Sequence, residues 1–341
     1  MQKGDCIYVA AIIVNYGTAN LTTKAVQSLL DIDNKNIELT IFVVDNHSPS
    51  DDVTILKNAQ SLWGDNVEIW PLNENKGFGG GNNVVLEHLS TSEVKPEYVF
   101  FLNPDAFLHN DVVTILAEKL DSDSSIATAG ALVLREGTNQ PVVSSFRFPS
   151  FLNECVKTLA VGPISRLFES KSVPIPPSEN AAFADWVTGA AFLTRFSVLE
   201  EVGFFDPAFF LYYEEAELMH RIKESGYKVW FEPKAKVIHA AGAATGMKDG
   251  KHQENKQPIY IYDSWRIYFV KTYGIWGARL LSVLNLMLAV VNVSLTKITS
   301  KKKSLPKDYL NQFWHYSLKP LFSTDTTKRH FPVQKRLDKI E

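Results

Sequence analysis

The fold expected for this chain of 341 residues follows from one apolar run, Ile7-Tyr8-Val9-Ala10-Ala11-Ile12-Ile13-Val14. A continuous run rich in Ile and Val is typical of a strand that is buried on both faces of a sheet. The run ends at Asn15-Tyr16-Gly17, and apolar residues at helical spacing then predict a helix over residues 20–30. A buried strand followed directly by a helix is the start of a βαβ unit.

The same alternation continues along the chain. Apolar runs predict strands at 41–44, 67–72 and 98–102, with helices at about 50–62 and up to about residue 89. This pattern indicates an α/β protein with a mostly parallel central sheet and helices on both faces. Beyond it the sequence predicts a helix at 214–225, a long loop or lid at 146–184 that contains five prolines, and further strands at 126–134, 141–146, 185–193, 228–231 and 235–239.

Composition excludes several classes of protein. Apolar residues make up 45% of the chain and charged residues 21%, as in an ordinary folded protein. Cys6 and Cys155 lie far apart, so neither a disulfide framework nor a zinc site is expected. We also expect no secretory signal, because the first apolar run is short and follows Asp5. A nucleic-acid partner is not expected either.

Polar residues follow the predicted strands at the points where they end. Asn15, Asp45 and Asn73 each come directly after an apolar run. In open α/β sheets, ligands bind beyond the carboxyl ends of the strands. We therefore expect a ligand site at this edge of the sheet.

A glycine-rich stretch follows the third strand: Asn73-Glu74-Asn75-Lys76-Gly77-Phe78-Gly79-Gly80-Gly81-Asn82-Asn83. Its spacing matches neither the dinucleotide fingerprint nor the Walker loop. The glycines would let the backbone approach a ligand closely, and the following helix would offer free N–H groups to a phosphate. A tight turn without a ligand is an equally good interpretation.

A cation site is indicated by Asp105, which follows the fourth strand in Asn103-Pro104-Asp105. Pro104 makes the strand end rigid, and a carboxylate there suits a divalent cation that also holds phosphates. His239, at the end of a later strand, could complete the site. Alternatively, Asp105 is a turn residue and His239 is structural.

A general base is indicated by Glu214-Glu215-Ala216-Glu217, at the start of a predicted helix. Glu215 shares the helix face of Leu218 and is aimed inward, whereas Glu217 and Arg221 form an i,i+4 ion pair. The helix N-terminus would keep Glu215 ionised and able to accept a proton. Acids in a first helical turn are, however, also ordinary complements of the helix dipole.

Together these motifs closely resemble the inverting family 2 glycosyltransferases of the GT-A fold (a Rossmann-like nucleotide-diphospho-sugar transferase fold), in the rhamnosyltransferase branch. Galactofuranosyltransferases are close relatives. The likeness covers about residues 7–275 and is carried by Val14-Asn15-Tyr16, Val44-Asp45-Asn46-His47-Ser48, Glu74 to Asn82, Leu102-Asn103-Pro104-Asp105, Trp186-Val187-Thr188-Gly189-Ala190 and Phe209 to Arg221.

The resemblance implies a role for each matched position. Glu215 would be the catalytic base, with Glu214 as the alternative, and Asp105 and His239 would bind Mg²⁺ or Mn²⁺. The sequence departs from the family pattern at Asn103, where the metal motif has an acid, and at Glu215, where the base is an Asp. Substrates would be bound by Asn15 and Asp45 (nucleobase and ribose), by Asn75, Gly77, Phe78, Gly80 and Asn82 (sugar-nucleotide pocket), by Trp186 and Gly189 (acceptor), and by Tyr16, Asn103 and Arg221.

The chain divides in the prediction into a GT-A catalytic domain, residues 1–262, and a helical, basic extension, residues 263–341. The catalytic domain has a nucleotide-binding half, about 1–135, and an acceptor half, about 136–262. Residues 297–341 carry 11 Lys and Arg against 4 Asp and Glu, whereas residues 1–296 have a net charge of −10. The run 280–296 has no charge and precedes Lys301-Lys302-Lys303. It is either an interfacial membrane helix or a helix packed on the domain or in a homo-oligomer.

The resemblance implies a metal-dependent inverting transferase that moves L-rhamnose from dTDP-L-rhamnose. The acceptor would be a hydroxyl of a bacterial surface polysaccharide or a lipid-linked glycan. Such an enzyme would be cytoplasmic and peripheral on the inner face of the cytoplasmic membrane. Two alternatives remain open: a UDP-sugar donor for a galactofuranosyl- or GlcNAc-type transferase, and a non-catalytic protein that binds nucleotide sugars.

Overall fold

A computed structural model describes residues 6–32, 36–240, 256–299 and 304–330. The described residues form a nine-stranded sheet in the order β3-β2-β1-β4-β10-β6-β11-β5, in which β8 also pairs with β11. The strands β7 and β9 form a second, small sheet. The strands are β1 (Ile7–Asn15), β2 (Ile37–Asp45), β3 (Val67–Pro71), β4 (Tyr98–Leu102), β5 (Ala106–Leu108), β6 (Ile126–Arg135), β7 (Ser145–Phe146), β8 (Ala182–Ala184), β9 (Trp186–Val187), β10 (Ala191–Arg195) and β11 (Lys228–His239).

The apolar run that begins the chain forms the middle of the parallel part of the sheet. β1 pairs in parallel with β2 on one side and β4 on the other, and β3 extends the parallel set. β10 runs antiparallel to both β4 and β6, whereas β11 is parallel to β6. The predicted, mostly parallel α/β sheet is therefore confirmed.

Helices cover both faces because alternate residues of β1 point to opposite sides. Val9, Ala11 and Ile13 pack with residues of α1, α2 and α4, while Ala10 and Ile12 pack with residues of α3, α7 and α8. The helices are α1 (Ala19–Leu30), α2 (Asp52–Gln60), α3 (Gly77–Thr91), α4 (Val112–Ser122), α5 (Phe151–Leu159), α6 (Gly162–Leu167), α7 (Phe196–Val202), α8 (Glu214–Glu224), α9 (Ile259–Thr299) and α10 (Tyr309–Phe313).

The structure corrects the prediction over residues 141–195. The strand expected at 141–146 is reduced to β7, and the strand expected at 185–193 is split into β9 and β10. The expected loop or lid at 146–184 contains α5, α6 and a 3₁₀ turn. Ser150 and Asn153 form a reciprocal capping box at the start of α5, which the prolines on either side obscured in the sequence.

The two short strands predicted at 228–231 and 235–239 are one strand, β11. Its pairing with β6 is irregular between Glu232 and Lys236, around Pro233. Proline cannot donate to the hydrogen-bond ladder and is typical of such irregularities. The interruption in the apolar pattern was therefore a bulge, not a strand end.

The C-terminal helix α9 is bent at Gly274, which has a φ of 70°, and packs on the rest of the protein. Trp265 Nε1 donates to Glu154 Oε2 of α5 over 2.9 Å. After α10 the chain forms a π-helical turn (Trp314–Leu318) and a 3₁₀ turn (Lys319–Phe322). The predicted boundary at residue 262 falls inside α9. The basic cluster Lys301-Lys302-Lys303 lies outside the described residues.

Candidate active site

Asn15, at the end of β1, organises the polar edge of the sheet from inside the protein. It is buried, and its Nδ2 donates to Asp45 Oδ1 over 2.8 Å and to Asp52 Oδ2 over 2.9 Å. Its Oδ1 accepts from Thr22 Oγ1 over 2.7 Å. Burial alone would raise the pKa of Asp52, but hydrogen bonds, one of them from Asn15, hold this pKa below its usual range. Asn15 therefore positions the two acids, its predicted contact with the nucleotide stays a prediction, and Tyr16 lies half-buried beside it.

The glycine-rich stretch is the first turn of α3, packed against protein. Gly77 has a φ of 77°, and a Cβ built on it would lie 2.0 Å from the carbonyl oxygen of Phe210. The N–H of Phe78 donates to that same carbonyl over 3.1 Å. A Cβ on Gly79 would lie 2.8 Å from Phe205 Cβ. These two glycines therefore serve close packing, which favours the turn interpretation over a phosphate cradle.

The next residues of α3 are also packed against other residues of the protein. A Cβ on Gly81 would lie 2.7 Å from Val14 of β1, and one on Gly80 would meet the side chain of Lys76. Asn82 is buried, and its Nδ2 donates to the carbonyl of Phe78 over 2.9 Å. The amide nitrogen of Asn82 is thus used within the helix, and the predicted contact of Asn82 with substrate stays a prediction.

Asn46 is a residue whose role the sequence did not reveal. Its Nδ2 donates to Asn75 Oδ1 and to the carbonyl of Gly77, each over 3.0 Å, and its Oδ1 accepts from the N–H of Lys76 over 2.9 Å. Asn75 Oδ1 also accepts from the N–H of Gly77 over 2.9 Å. Asn46 thus ties the end of β2 to the start of α3. The signal that could have indicated it is its place directly after Asp45.

Asp105 and His239 meet as the sequence predicted. Antiparallel pairing of β5 with β11 sets His239 opposite Ala106, and His239 Nε2 lies 2.9 Å from Asp105 Oδ1. Asp105 is buried and His239 is partly exposed. An imidazole nitrogen beside a carboxylate oxygen is a donor pair that fits Mn²⁺ or Mg²⁺. Among the described residues no cluster supplies three such side chains, so further ligands would have to come from a substrate or water.

Glu215 is presented by an unusual backbone. Tyr212 and Tyr213, directly before α8, have φ values of 67° and 72°, which residues other than glycine rarely adopt. Strained backbone of this kind is concentrated at functional sites. The carboxylate of Glu215 contacts Gly189, where a Cβ would lie 2.3 Å from Glu215 Oε1, and the N–H of Gly189 donates to it. Only glycine leaves room for this carboxylate.

A short backbone path joins Glu215 to the candidate cation site. Gly189 contacts the Glu215 carboxylate, and the carbonyl of the next residue, Ala190, accepts from the N–H of Asn103 over 3.0 Å. Asn103 is two residues before Asp105 and is half-buried. The candidate base and the Asp105–His239 pair are therefore connected through Gly189, Ala190 and Asn103.

The two adjacent glutamates have different surroundings. Glu214 is 1% exposed, and its Oε2 has no hydrogen-bond partner. Burial raises the pKa of Glu214 well above its ordinary value, and the charge of Glu215 raises it further. Burial also raises the pKa of Glu215, but N–H groups, including that of Gly189, stabilise its charge. Burial therefore opposes the ionisation of Glu215 that the helix terminus and these N–H groups favour.

Arg221 has a structural task. It forms the predicted ion pair with Glu217, with Nε to Oε1 at 2.9 Å and Nη2 to Oε2 at 2.8 Å. Its remaining donors bind the carbonyls of Val202, Gly203 and Phe204 over 2.6 to 2.8 Å. The guanidinium holds α8 to the end of α7, and the predicted contact of Arg221 with substrate stays a prediction.

Trp186 is held in a fixed orientation at the edge of the site. Its ring stacks on Phe146 with centroids 4.1 Å apart, and its Nε1 donates to the carbonyl of Arg147 over 3.0 Å. Trp186 is half-buried and lies three residues before Gly189. A rigid aromatic surface therefore borders the candidate base.

The fold is that of the GT-A class of glycosyltransferases. The chain belongs to glycosyl transferase family 2, whose family model matches residues 10–203, more than half of the chain. The resemblance seen in the motifs is therefore confirmed.

Among curated relatives, the rhamnosyltransferase WbbL of Escherichia coli K12 is 25% identical over 168 residues, which is 48% of this chain and 61% of that protein. The N-acetylglucosaminyl-diphospho-decaprenol L-rhamnosyltransferase of Mycobacterium tuberculosis is 26% identical over 199 residues, which is 55% of this chain and 63% of that protein. The chain thus spans less than two thirds of the length of these relatives.

Solved structures share the fold at low identity. GalNAc-T7 with UDP, GalNAc and Mn²⁺ superposes with a TM-score of 0.58 at 13% identity, over 92% of this chain and 59% of that one. Residues 1–349 of Staphylococcus aureus TarS with UDP-GlcNAc give 0.55 at 13% identity, over 91% and 79%. These likenesses establish the GT-A fold.

Proposed function

We propose that this protein transfers a sugar from a nucleoside diphosphate to an acceptor hydroxyl, with Glu215 as the general base. The observation that carries the proposal is the contact between the Glu215 carboxylate and Gly189, joined through Ala190 and Asn103 to the Asp105–His239 pair. Such a transfer needs a carboxylate that takes the proton of the acceptor hydroxyl as the glycosidic bond forms. One base without a second nucleophile gives inversion, unlike the paired carboxylates of retaining glycosidases.

The surroundings of the two glutamates favour Glu215 over Glu214 as the base. Glu214 is fully enclosed and its raised pKa favours the protonated form, so it has neither access to an acceptor nor a ready charge. Glu215 is partly exposed and receives a hydrogen bond from Gly189. We therefore assign the proton transfer to Glu215 and the role of buried neighbour to Glu214.

Asp105 and His239 are the residues that would hold a divalent cation. Their contact of 2.9 Å supports a shared ligand, and Asn103 adds no charge where the family pattern has an acid. A cation bound there would neutralise the negative charge that develops on the departing diphosphate. The buried position of Asp105 would keep its carboxylate in place for that ligand.

The donor we propose is dTDP-L-rhamnose. Both curated relatives described above are named as rhamnosyltransferases, which supports rhamnose over other sugars. A UDP sugar of the galactofuranosyl or GlcNAc type is the alternative, and the TarS complex with UDP-GlcNAc shows that this fold accepts such donors. The acceptor we propose is a bacterial surface glycan on a lipid carrier, reached from the cytoplasmic face of the membrane. It is supported by the diphospho-decaprenol named for the mycobacterial relative.

A panel of nucleotide sugars tests the proposal. We would measure release of the nucleoside diphosphate from dTDP-L-rhamnose, UDP-galactofuranose and UDP-GlcNAc, each with Mn²⁺ or Mg²⁺ and with a chelator, in the presence of a lipid-linked glycan. The expected result is cation-dependent release from dTDP-L-rhamnose. Release from a UDP sugar would support the alternative donor. Binding of dTDP or UDP without any release would support a non-catalytic nucleotide-sugar-binding protein.

As the pH is lowered, the rate of transfer should begin to fall at a higher pH than it would if the base had the pKa of an ordinary glutamate. Burial raises the pKa of Glu215 above 4.5, and the base must be ionised to accept a proton. The acid limb of the kcat profile is therefore expected above pH 4.5, with kcat rising as the pH increases through it. The limb should persist in Glu214→Gln, because Glu215 is still present. An acid limb at or below pH 4.5, after correction for nucleotide binding measured over the same range, would contradict the assignment.

A further inference from the structure

The part of α9 after the bend at Gly274 has its polar side turned towards the protein. Asn285 Oδ1 accepts from Thr158 Oγ1 over 3.2 Å and from the Tyr309 hydroxyl over 2.8 Å. Asn292 Nδ2 donates to the carbonyl of Thr158 over 3.1 Å and to Ser304 Oγ over 2.7 Å. Residues that would face water in an ordinary amphipathic helix are therefore buried.

The opposite side of the same helix is apolar and exposed. Ile298 is 79% exposed, Trp276 76%, Leu280 57% and Val290 50%. Large apolar side chains are normally exposed singly, so a continuous row of them marks an interaction surface. We call this row the outer face of α9; its members are Trp276, Leu280, Val283, Met287, Val290, Val291, Leu295 and Ile298.

The breadth of the outer face favours lipid over a second helix. At 3.6 residues per turn its members span about 140° of the helix circumference, along roughly 33 Å from Trp276 to Ile298. The members from Trp276 to Val290 have the spacing of a coiled-coil seam, and Val291, Leu295 and Ile298 widen the face beyond such a seam. Acyl chains, in contrast, can cover a face of this breadth. The run 280–296 also lacks the charged residues that flank a helix–helix seam in water.

The contacts of α9 also favour a helix that lies along a membrane over one that crosses it. The helix is long and apolar enough to span a bilayer by length and composition alone. However, the hydrogen bonds of Asn285 and Asn292 to α5 and to residues 304–309 fix one side of it to the globular body. Only the outer face is available to lipid.

Cationic and aromatic residues lie at the two ends of the outer face. The Arg279 guanidinium lies 4.7 Å from the ring of Trp276 and 4.9 Å from that of Phe322, and both rings are well exposed. Lys297 is exposed at the other end, and the chain continues with Lys301-Lys302-Lys303. Trp and Arg are typical of the boundary between headgroups and acyl chains, and clustered lysines attract anionic lipids.

We propose that residues 276–298 lie along an anionic lipid bilayer, with the outer face of α9 inserted among the acyl chains and Arg279 and Lys297 on the headgroups. The first part of α9 packs with Phe209 and Ala216, on either side of the residues that precede and include Glu215. This arrangement would keep the candidate base at a fixed position relative to the membrane. The inference concerns a surface and does not depend on which sugar is transferred.

Co-sedimentation with vesicles tests the proposal. The full chain would be mixed with vesicles of phosphatidylcholine and phosphatidylglycerol, and with vesicles of phosphatidylcholine alone. The test variant is Leu280→Glu/Val290→Glu, and the matched control is Leu62→Glu/Val94→Glu, which changes the same residue types at positions 85% and 72% exposed on the body. Thermal unfolding and nucleotide binding would be measured for all three proteins.

The wild type and the control are expected to bind the anionic vesicles more tightly than the neutral ones. The α9 variant should bind at least about tenfold more weakly, because two apolar side chains no longer insert. Equal binding by the α9 variant and the wild type would overturn the proposal. The proposal would also be overturned if the wild type did not bind vesicles but formed a dimer, and the α9 variant did not form that dimer. Because nucleotide binding is read separately, failure here is distinct from failure of the proposed transferase activity.

Discussion

Glu215→Gln is expected to lower kcat by about 10²- to 10⁴-fold, the usual contribution of a general base. The amide keeps nearly the shape of the carboxyl group and can still accept from the N–H of Gly189, but it cannot take a proton. Because Glu215 acts on the acceptor, the affinity for the nucleoside diphosphate should remain close to that of the wild type. Steady-state release of the nucleoside diphosphate gives kcat and KM, and the thermal shift produced by the nucleotide gives binding.

Glu214→Gln provides the matched control for this prediction. It makes the same chemical change one residue earlier, at a carboxyl group that is enclosed and whose raised pKa favours the protonated form. An amide replaces a protonated carboxyl group with little change in charge, so the loss in kcat should be much smaller. Full transfer activity in Glu215→Gln would refute the assignment of the base. A larger loss in Glu214→Gln than in Glu215→Gln would exchange the roles of the two residues.

The parallel core of the fold could be predicted because it depends on local pattern. The apolar run at Ile7 and the strand at 98–102 are found as predicted, since strands buried on both faces must be apolar along their whole length. The meeting of Asp105 with His239 was also predictable, because Asp105 follows the end of one strand and His239 is the last residue of another. Helix α5 was missed because its short amphipathic pattern lies between prolines.

The roles of individual polar residues could not be predicted, because they depend on partners that are distant in sequence. Three of the carbonyls that accept from Arg221 belong to residues 17 to 19 positions earlier in the chain. The amide of Asn15 donates to acids 30 and 37 residues later. The spacing of residues in the sequence predicts which helix or strand a residue belongs to and on which face it lies. Only the folded structure shows which of its hydrogen bonds are already made.

The same reasoning predicts a large loss of stability for Arg266→Met. Arg266 is fully buried in α9, and its Nη1 pairs with Asp263 Oδ1 at 2.8 Å. It also donates to the carbonyl of Tyr316, to that of Thr326 over 2.9 Å and to that of Lys328 over 2.6 Å. Methionine fills much of the volume but leaves Asp263 as a buried charge without this cation. Loss of one partner of a buried ion pair costs about 3–5 kcal/mol.

Two further variants separate the buried charge from the packing. Asp263→Leu/Arg266→Met removes both charges and should be more stable than Arg266→Met alone, because replacing a complete buried pair by apolar residues is often nearly neutral. Arg279→Met changes a half-buried arginine of the same helix that donates from Nε to the carbonyl of Leu321 at 3.0 Å and contacts the rings of Trp276 and Phe322, and it should cost about 1–2 kcal/mol. The free energy of unfolding in urea would be measured for the wild type and all three variants. If Arg266→Met lowered the free energy of unfolding no more than Arg279→Met does, the Asp263–Arg266 pair would not be what holds α9 to the C-terminal residues.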